Sequence, residues 1–259
     1  MNHNFRRMIA VGVSLAAMAA CDDYGTDPVP APENEPTVLA ATGDIAATVE
    51  EFRALLGEPS NGGTPEEQPT GRREIAWDGA GANPFNNRND FPADFFNTNV
   101  KSGAVFTTPG TGFRNDSLKF AEVNAGYAAQ FDAFSPTKIF SPIGSNVMDV
   151  LFQVAGRPTP AQVTGFGVVF SDVDTDQATT IEFFDANGRS LGAVAAPRRS
   201  DVAGLSFVGV KFADAVVARA RITLGTGSLG ANTADISAGG NADLVVTDNF
   251  IYGEPRRIP

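Results

Sequence analysis

The feature that most constrains the fold of this chain is a series of short apolar runs, separated by turns rich in Gly, Pro and Asn, that begins near Arg72. In the clearest run, "VVARARITL" at 216–224, arginine and threonine fall on one face of a strand and alanine, isoleucine and leucine on the other. About eleven such runs without a βαβ rhythm predict an all-β fold, a two-sheet antiparallel sandwich of jelly-roll type. We predict strands at 74–77, 103–107, 118–123, 138–140, 147–154, 163–170, 180–185, 191–195, 205–212, 216–224 and 244–252.

One short helix and two loose segments precede the predicted sandwich. "GDIAATVEEFRALLGEP" has apolar residues at helical spacing, with Asp44 able to cap the helix and Gly57 able to end it. The acidic, Pro-rich "DDYGTDPVPAPENEP" before it is typical of an extended tether, and "SNGGTPEEQPT" after it of a linker. The predicted organisation is a tether at 21–43, a helix at 44–57, a linker at 58–70 and the sandwich at 71–259.

The first residues of the chain indicate its compartment. They contain a basic pair, Arg6 and Arg7, then an apolar stretch too short to cross a bilayer, then small residues before a cysteine. This segment resembles a bacterial lipoprotein signal peptide, which implies that residues 1–20 are removed and that Cys21, in the lipobox "MAAC", becomes the lipidated first residue. An ordinary cleaved signal with a coincidental cysteine is the alternative.

Removal of residues 1–20 would also limit the chemistry of the mature chain. His3 is the single histidine and Cys21 the single cysteine, so neither an imidazole nor a free thiol would remain. A Ser-His-Asp triad, a Cys-His pair and the usual zinc sites are then excluded. Catalysis would have to use carboxylates, Tyr, Lys or Arg, and because no carboxylate pair stands out, we do not expect an enzyme.

The charge of the chain indicates which partners it can bind. Loss of Arg6 and Arg7 would take the formal net charge from −11 to −13. So acidic a surface argues against nucleic acid and anionic lipid head groups as partners, and it favours divalent cations.

The strongest cluster of candidate ligands is "FSDVDTDQ", which follows the apolar run "VTGFGVVF". Asp172, Asp174 and Asp176 alternate there at the predicted end of a strand, where their oxygens could face a hard cation such as Ca²⁺. The pattern is not an EF-hand loop, because the turn glycine and the closing glutamate are absent. A solvated acidic turn is the alternative interpretation.

The aromatic residues offer little surface for stacking on a sugar. We expect Trp77 and most of the phenylalanines in the core, including the three of "RNDFPADFFN", which leaves Tyr127 and Tyr252 as rings that could be partly solvated. The pairs Arg72-Arg73 and Arg256-Arg257 are expected to be solvated.

Several runs resemble those of a family of uncharacterised bacterial exported proteins, some of which carry a C-terminal PEP-CTERM sorting tail. The matching runs are "GRREIAWDG", "FPADFFN", "FTTPGTGF", "FSPIGSNVMDVLF", "TGFGVVFSDVD", "IEFFDANGRSLG" and "DNFIYGEP". The resemblance implies an extracytoplasmic β-sandwich and no established activity.

Asp248 and Asn249 interrupt the apolar run "VVTDNFIYGE", where a buried carboxylate would be costly without a partner. In pattern this resembles jelly-roll carbohydrate-binding modules, in which calcium ties the last strand to loops near the first. That resemblance implies Asp248 as a metal ligand, with Asp78 as a contributor. The alternatives are a carboxylate that accepts hydrogen bonds from a loop's backbone, or a β-bulge that turns the side chain to water.

These observations predict a non-catalytic, lipid-anchored, extracytoplasmic β-sandwich that is stabilised by Ca²⁺ and binds a glycan. The candidate metal ligands are Asp172, Asp174, Asp248 and Asp78. The expected partners are the membrane, through the lipid on Cys21, and a glycan or another envelope protein; the choice between inner and outer membrane stays open. A purely structural or protein-interaction module is the alternative, and a carboxylate-dependent glycan-active enzyme is less favoured.

Overall fold

The computed structural model of this protein describes residues 35–79, 84–199 and 204–259, and it is built around two antiparallel sheets. The expected signal peptide and Cys21 lie outside the described residues. No helix within the described ranges is long and apolar enough to cross a membrane.

The strands and helices are short, as the spacing of the turn residues predicts. The strands are β1 (Thr37–Thr42), β2 (Arg72–Ile75), β3 (Ala104–Thr107), β4 (Gly112–Asp116), β5 (Ile139–Ile143), β6 (Val147–Phe152), β7 (Ala161–Gln162), β8 (Gly165–Ser171), β9 (Thr180–Phe184), β10 (Ser190–Ala195), β11 (Leu205–Lys211), β12 (Arg219–Thr223), β13 (Val246–Gly253) and β14 (Arg256–Arg257). The helices are α1 (Ala46–Leu56), α2 (Phe95–Thr98) and α3 (Tyr127–Gln130), with 3₁₀ turns at Trp77–Gly79 and Ile236–Ala238.

The larger sheet has the order β1-β11-β8-β13-β5-β4, with β2 also paired to β13, and the smaller has the order β10-β9-β12-β6-β3. The paired strands run antiparallel. Strands β9 and β10 form a hairpin across "FFDANGRSLG", and Gly188 supplies the positive φ of its turn. The all-β, two-sheet antiparallel sandwich is therefore confirmed.

The core between the sheets is rich in aromatic rings. Trp77 is fully buried and stacks on Phe140 with ring centroids 3.8 Å apart. Phe91, Phe95 and Phe96 pack around the same indole or around each other. The core position of Trp77 and the packing of "RNDFPADFFN" onto the sandwich are thus confirmed.

Helix α1 covers the outer face of the larger sheet, so β8 and β13 are buried on both sides. Its stripe of Val49, Phe52 and Leu56 is buried. The ring of Phe52 lies over Gly167 and Gly209, where a Cβ atom would come within 2.7 Å of it. The two glycines are therefore needed for the close approach of helix and sheet.

Two segments that were expected to be loose are ordered parts of the fold. The C-terminal part of the predicted tether forms β1, whose "TVLAAT" pairs along its whole length with β11. The predicted linker at 58–70 surrounds Arg73, whose guanidinium donates to the carbonyls of Gly62, Thr64 and Glu66. Arg73 is fully buried and paired with Glu254, so the expectation that it is solvated was wrong.

One predicted strand, at 118–123, was also wrong. Oδ1 of Asp116 accepts hydrogen bonds from the backbone N–H groups of Leu118 and Phe120, and Lys119 and Phe120 both have positive φ. This capped turn overrides the β propensity of the apolar residues, and the strand in this region is β4, just before it. The other ten predicted strands each overlap an observed one.

Candidate metal centre

Three buried or half-buried carboxylates meet beyond the C-terminal end of β8. Asp172 and Asp174 follow that strand, and Asp235 precedes the 3₁₀ turn at Ile236–Ala238. One carboxylate oxygen from each of the three residues lies within 4.8 Å of the others. Asp176, the next alternate position in the sequence, is exposed and is not part of this group. We refer to Asp172, Asp174 and Asp235 as the acidic cluster.

The backbone of the loop after β8 turns the first two carboxylates toward each other. Asp172 has a left-handed φ of 72°, and its N–H donates to the carbonyl of Gly204 at 3.1 Å. Val173 between the two aspartates is buried in the core. Asp243 supports the loop from behind, because its carboxylate accepts the N–H groups of Asp174 and Thr175 at 3.2 and 2.9 Å.

Asp235 enters the cluster as the N-cap of a 3₁₀ turn. Its Oδ1 accepts the N–H of Ser237 and its Oδ2 the N–H of Leu244, each at 2.7 Å. Both oxygens are thereby held in place, and each retains a lone pair for a further interaction. Sequence reasoning missed Asp235, although "TADISAGG" carries the signal of a capping aspartate before a turn.

Arg199 is the cation that accompanies these carboxylates. Its Nε lies 2.7 Å from Oδ1 of Asp172 and 2.5 Å from Oδ1 of Asp174, and its side chain is only 7% exposed. With all three carboxylates ionised, they and the guanidinium carry a formal charge of −2, which one divalent cation would balance.

The hydrogen bonding of the acidic cluster is incomplete. Neither oxygen of Asp172 accepts a hydrogen bond from any residue that the structure describes, and the same holds for Oδ2 of Asp174. Burial raises the pKa of Asp172 to about 7, while the neighbouring Gln130 amide and the Arg199 guanidinium lower it. Burial likewise raises the pKa of Asp243. Carboxylate oxygens that keep unused acceptor capacity in this way are suitable ligands for a hard cation such as Ca²⁺.

Asp248 and Asp78, the other two candidate ligands, belong to a different arrangement. Oδ2 of Asp248 accepts the backbone N–H groups of Phe134 and Ser135 at 2.6 and 3.0 Å. The Ser135 hydroxyl lies between the two aspartates, 2.9 Å from Oδ1 of Asp248 and 3.0 Å from Oδ2 of Asp78. The structure thus joins Asp78 to Asp248 and Asp172 to Asp174, and it does not bring the four together in one group.

The polar interruption of β13 has a structural explanation. The pairing of β13 with β8 shifts between Thr247 and Phe250, so Asp248 and Asn249 form a bulge whose side chains nevertheless stay buried. Asp248 fastens the loop at 134–135, as above. Asn249 donates to Glu74 at 2.6 Å, and the same carboxylate binds Arg53 of α1. Asp248 is therefore a carboxylate that holds a loop by its backbone, one of the alternatives open from the sequence.

The surface provides no aromatic platform among the described residues. Trp77, Tyr127 and Tyr252 are all buried, and the large apolar residues that are exposed are Val38, Leu118 and Ile236. A cleft of about 450 Å³ lies elsewhere on the sandwich and includes one carboxylate, that of Asp94, in its lining. A pair of acidic residues facing each other across a cleft, as glycoside hydrolysis requires, is not formed there.

Comparison with known proteins adds little to this geometry. Neither the protein-family models nor the curated proteins include a match to this chain. A solved structure, the enzymatically active domain of bacteriophage CBA120 tailspike protein 4, is similar over 62% of this chain and 20% of its own length, with 12% sequence identity and a TM-score of 0.29. That TM-score is too low to support a common fold or a common activity.

Proposed function

We propose that this protein is a non-catalytic, lipid-anchored β-sandwich of the cell envelope that binds Ca²⁺ at the acidic cluster. The observation that carries the proposal is the buried carboxylate of Asp172, which contacts Arg199 through Oδ1 and otherwise accepts no well-formed hydrogen bond from the described residues. Burying several carboxylates together is costly unless their charge is balanced, and when all three are ionised Arg199 balances only one of the three charges in the cluster. The all-oxygen composition of the cluster favours a hard cation.

Calorimetry on the full-length protein, stripped with chelator and titrated with CaCl₂, tests the metal site. We expect heat from one bound Ca²⁺ and a rise in melting temperature, because a ligand specific for the folded state stabilises it. Asp172→Asn should lower the affinity at least about ten-fold, and Asp174→Asn should do the same. Asp176→Asn is the matched control, since this exposed carboxylate lies in the same loop outside the cluster. Absence of both heat and a melting shift in the wild type would refute Ca²⁺ binding.

Lipid attachment is tested separately, by metabolic labelling with a radioactive fatty acid followed by membrane fractionation. We expect the label and the membrane association to be lost in Cys21→Ser, since the Cys21 thiol is the proposed point of lipid attachment. Retention of the label in this variant would disprove the proposed anchor without affecting the metal site.

A structural or protein-interaction module without a metal is the second candidate. Its support is the pair of contacts from Arg199, which already balances part of the cluster, and the burial of the aromatic side chains that could stack on a sugar. This candidate predicts a melting temperature that is the same in Ca²⁺ and in chelator.

A further inference from the structure

We propose that Gln130 is a further ligand of the cation, through its side-chain amide oxygen, and that water from the cavity beside it completes the coordination. This inference rests on the proposed Ca²⁺ site, and it adds to that site a neutral ligand that lies outside the acidic motif.

The first observation is the state of the Gln130 side chain. This residue ends α3 and is only 7% exposed, and its Nε2 donates no hydrogen bond to any described residue. A buried NH₂ group without an acceptor is costly, so its position at the cluster requires an explanation.

The second observation is where the amide lies. Gln130 and Asp235 line the same small cavity, and the carboxylate of Asp235 is one of the three that come within 4.8 Å of each other. The amide also neighbours the carboxyl group of Asp172, although their contact falls outside hydrogen-bond geometry. The side chain therefore stands between the cavity and the acidic cluster.

The chemistry of an amide explains this placement. Its NH₂ group is attracted to a carboxylate when no metal is bound, and rotation of the amide by about 180° presents the oxygen to a cation instead. Amide oxygens are regular Ca²⁺ ligands, and a neutral one adds coordination without further repulsion between carboxylates.

The cavity supplies the remaining ligands. Its volume is about 230 Å³, and polar side chains of Asn124, Asp235 and Ser237 lie along its wall. Because one water molecule occupies roughly 30 Å³ in the liquid, the cavity has room for a cation with about six waters. A cation can therefore reach the cluster through this cavity while it exchanges waters for protein oxygens.

Terbium luminescence on the full-length protein tests the proposal. Tb³⁺ replaces Ca²⁺ at oxygen sites, Tyr127 of the same cavity wall can sensitise its emission, and lifetimes in H₂O and D₂O count the waters on the ion. We expect Gln130→Leu to bind Tb³⁺ about ten-fold more weakly and with about one additional water, and Gln130→Glu to bind it more tightly. Gln162→Leu, on β7, is the control and should match the wild type.

The outcomes separate this inference from the proposed function. If wild-type protein binds the ion, Asp172→Asn weakens binding as expected and Gln130→Leu changes neither affinity nor hydration, then Gln130 is not a ligand and the Ca²⁺ site stands. If wild-type protein binds no ion, both proposals fail. If the three variants behave as expected, with circular dichroism spectra like that of the wild type, the amide oxygen is assigned as a ligand.

Discussion

The Nε atom of Arg199 lies 2.7 Å from Oδ1 of Asp172, inside the acidic cluster. An arginine at this point balances part of the buried negative charge, and it competes with a metal ion for the same oxygens. Arg199 therefore sets the strength with which the cluster can hold a cation.

We expect Arg199→Gln to bind Ca²⁺ roughly ten-fold or more tightly than the wild type, because the cluster's formal charge becomes more negative by one. In chelator the same variant should melt at a lower temperature, since the carboxylates lose their ion pairs. Thermal melts with and without Ca²⁺ measure both effects. Arg198→Gln, at the exposed neighbouring position, is the control. A variant at Arg199 that matched the wild type in both respects would contradict this role.

The stability of the protein should depend on pH through Asp248. Burial raises the pKa of this carboxyl group to about 7. The hydrogen bonds from Phe134 and Ser135 lower the pKa, whereas the negative charge of the facing Asp78 raises it further. Because the folded-state pKa lies above the ordinary value of 3.8, the folded protein holds the proton more tightly than the unfolded chain. The contribution of Asp248 is fully present below pH 3.8 and is lost as the pH rises through about 7.

Asp248→Asn isolates that contribution. Asparagine can keep the two backbone contacts through its oxygen and can donate from Nδ2 to the Ser135 hydroxyl, which then donates to Asp78. The free energy of unfolding of the variant should match that of the wild type near pH 4 and exceed it near pH 8 by at most about 4 kcal/mol. Urea unfolding at several pH values measures the difference. A gap between variant and wild type that stays constant with pH would argue against titration of Asp248.

The fold was predictable where its signals are local. The alternation in "VVARARITL" reports a strand with one buried face, and "ANG" reports a turn, because both depend on neighbouring residues only. The strand expected at 118–123 was wrong because a single capping carboxylate, Asp116, decides the backbone there. Composition likewise suggested loose segments at 37–43 and 58–70, where pairing with β11 and contacts to Arg73 impose order.

The candidate site was predictable only in part, for the same reason. Asp172 and Asp174 stand two residues apart in one loop, so their pattern is visible in the sequence. Asp235 and Gln130 come from distant segments, and only the packing of the chain around β8 and β13 brings them to the same place. The sequence indicates that the carboxylate of Asp248 needs partners, because it interrupts an apolar run. Its partners are backbone N–H groups of residues 134 and 135, which are too far away in the sequence to be predicted from the residues around Asp248.

The buried pair of Arg73 and Glu254 should be essential for the order of residues 58–70. The two side chains are 0% and 2% exposed, and Glu254 also accepts from Asn61 and from the N–H of Gln68. Glu254→Gln leaves a buried guanidinium without its counter-charge, so we expect a loss of about 3 to 5 kcal/mol in the free energy of unfolding.

Limited proteolysis with a glutamate-specific protease provides a second readout for this pair. Cleavage after Glu66 and Glu67 should become faster in Glu254→Gln, because the segment that carries them loses its anchor. Arg88→Gln, which breaks an ion pair between exposed side chains, should change neither the cleavage rate nor the unfolding midpoint. Unchanged cleavage in Glu254→Gln would show that the segment is held by other contacts.

The docking of α1 should depend on the absence of a side chain at Gly209. A Cβ atom there would come within 2.7 Å of Phe52 and 3.0 Å of Phe207, and both rings are buried. Gly209→Ala should therefore lower the free energy of unfolding by about 1 to 3 kcal/mol, since the helix must shift away from the sheet. Phe52→Ala alone should cost about 3 to 5 kcal/mol through the cavity it leaves. In the double variant the alanine at 209 no longer meets a ring at 52. The loss of unfolding free energy measured by urea unfolding of the double variant should therefore be clearly smaller than the sum of the losses in the two single variants. If the losses in the two single variants add up to the loss in the double variant, Gly209 is not needed for the close approach of α1 to the sheet.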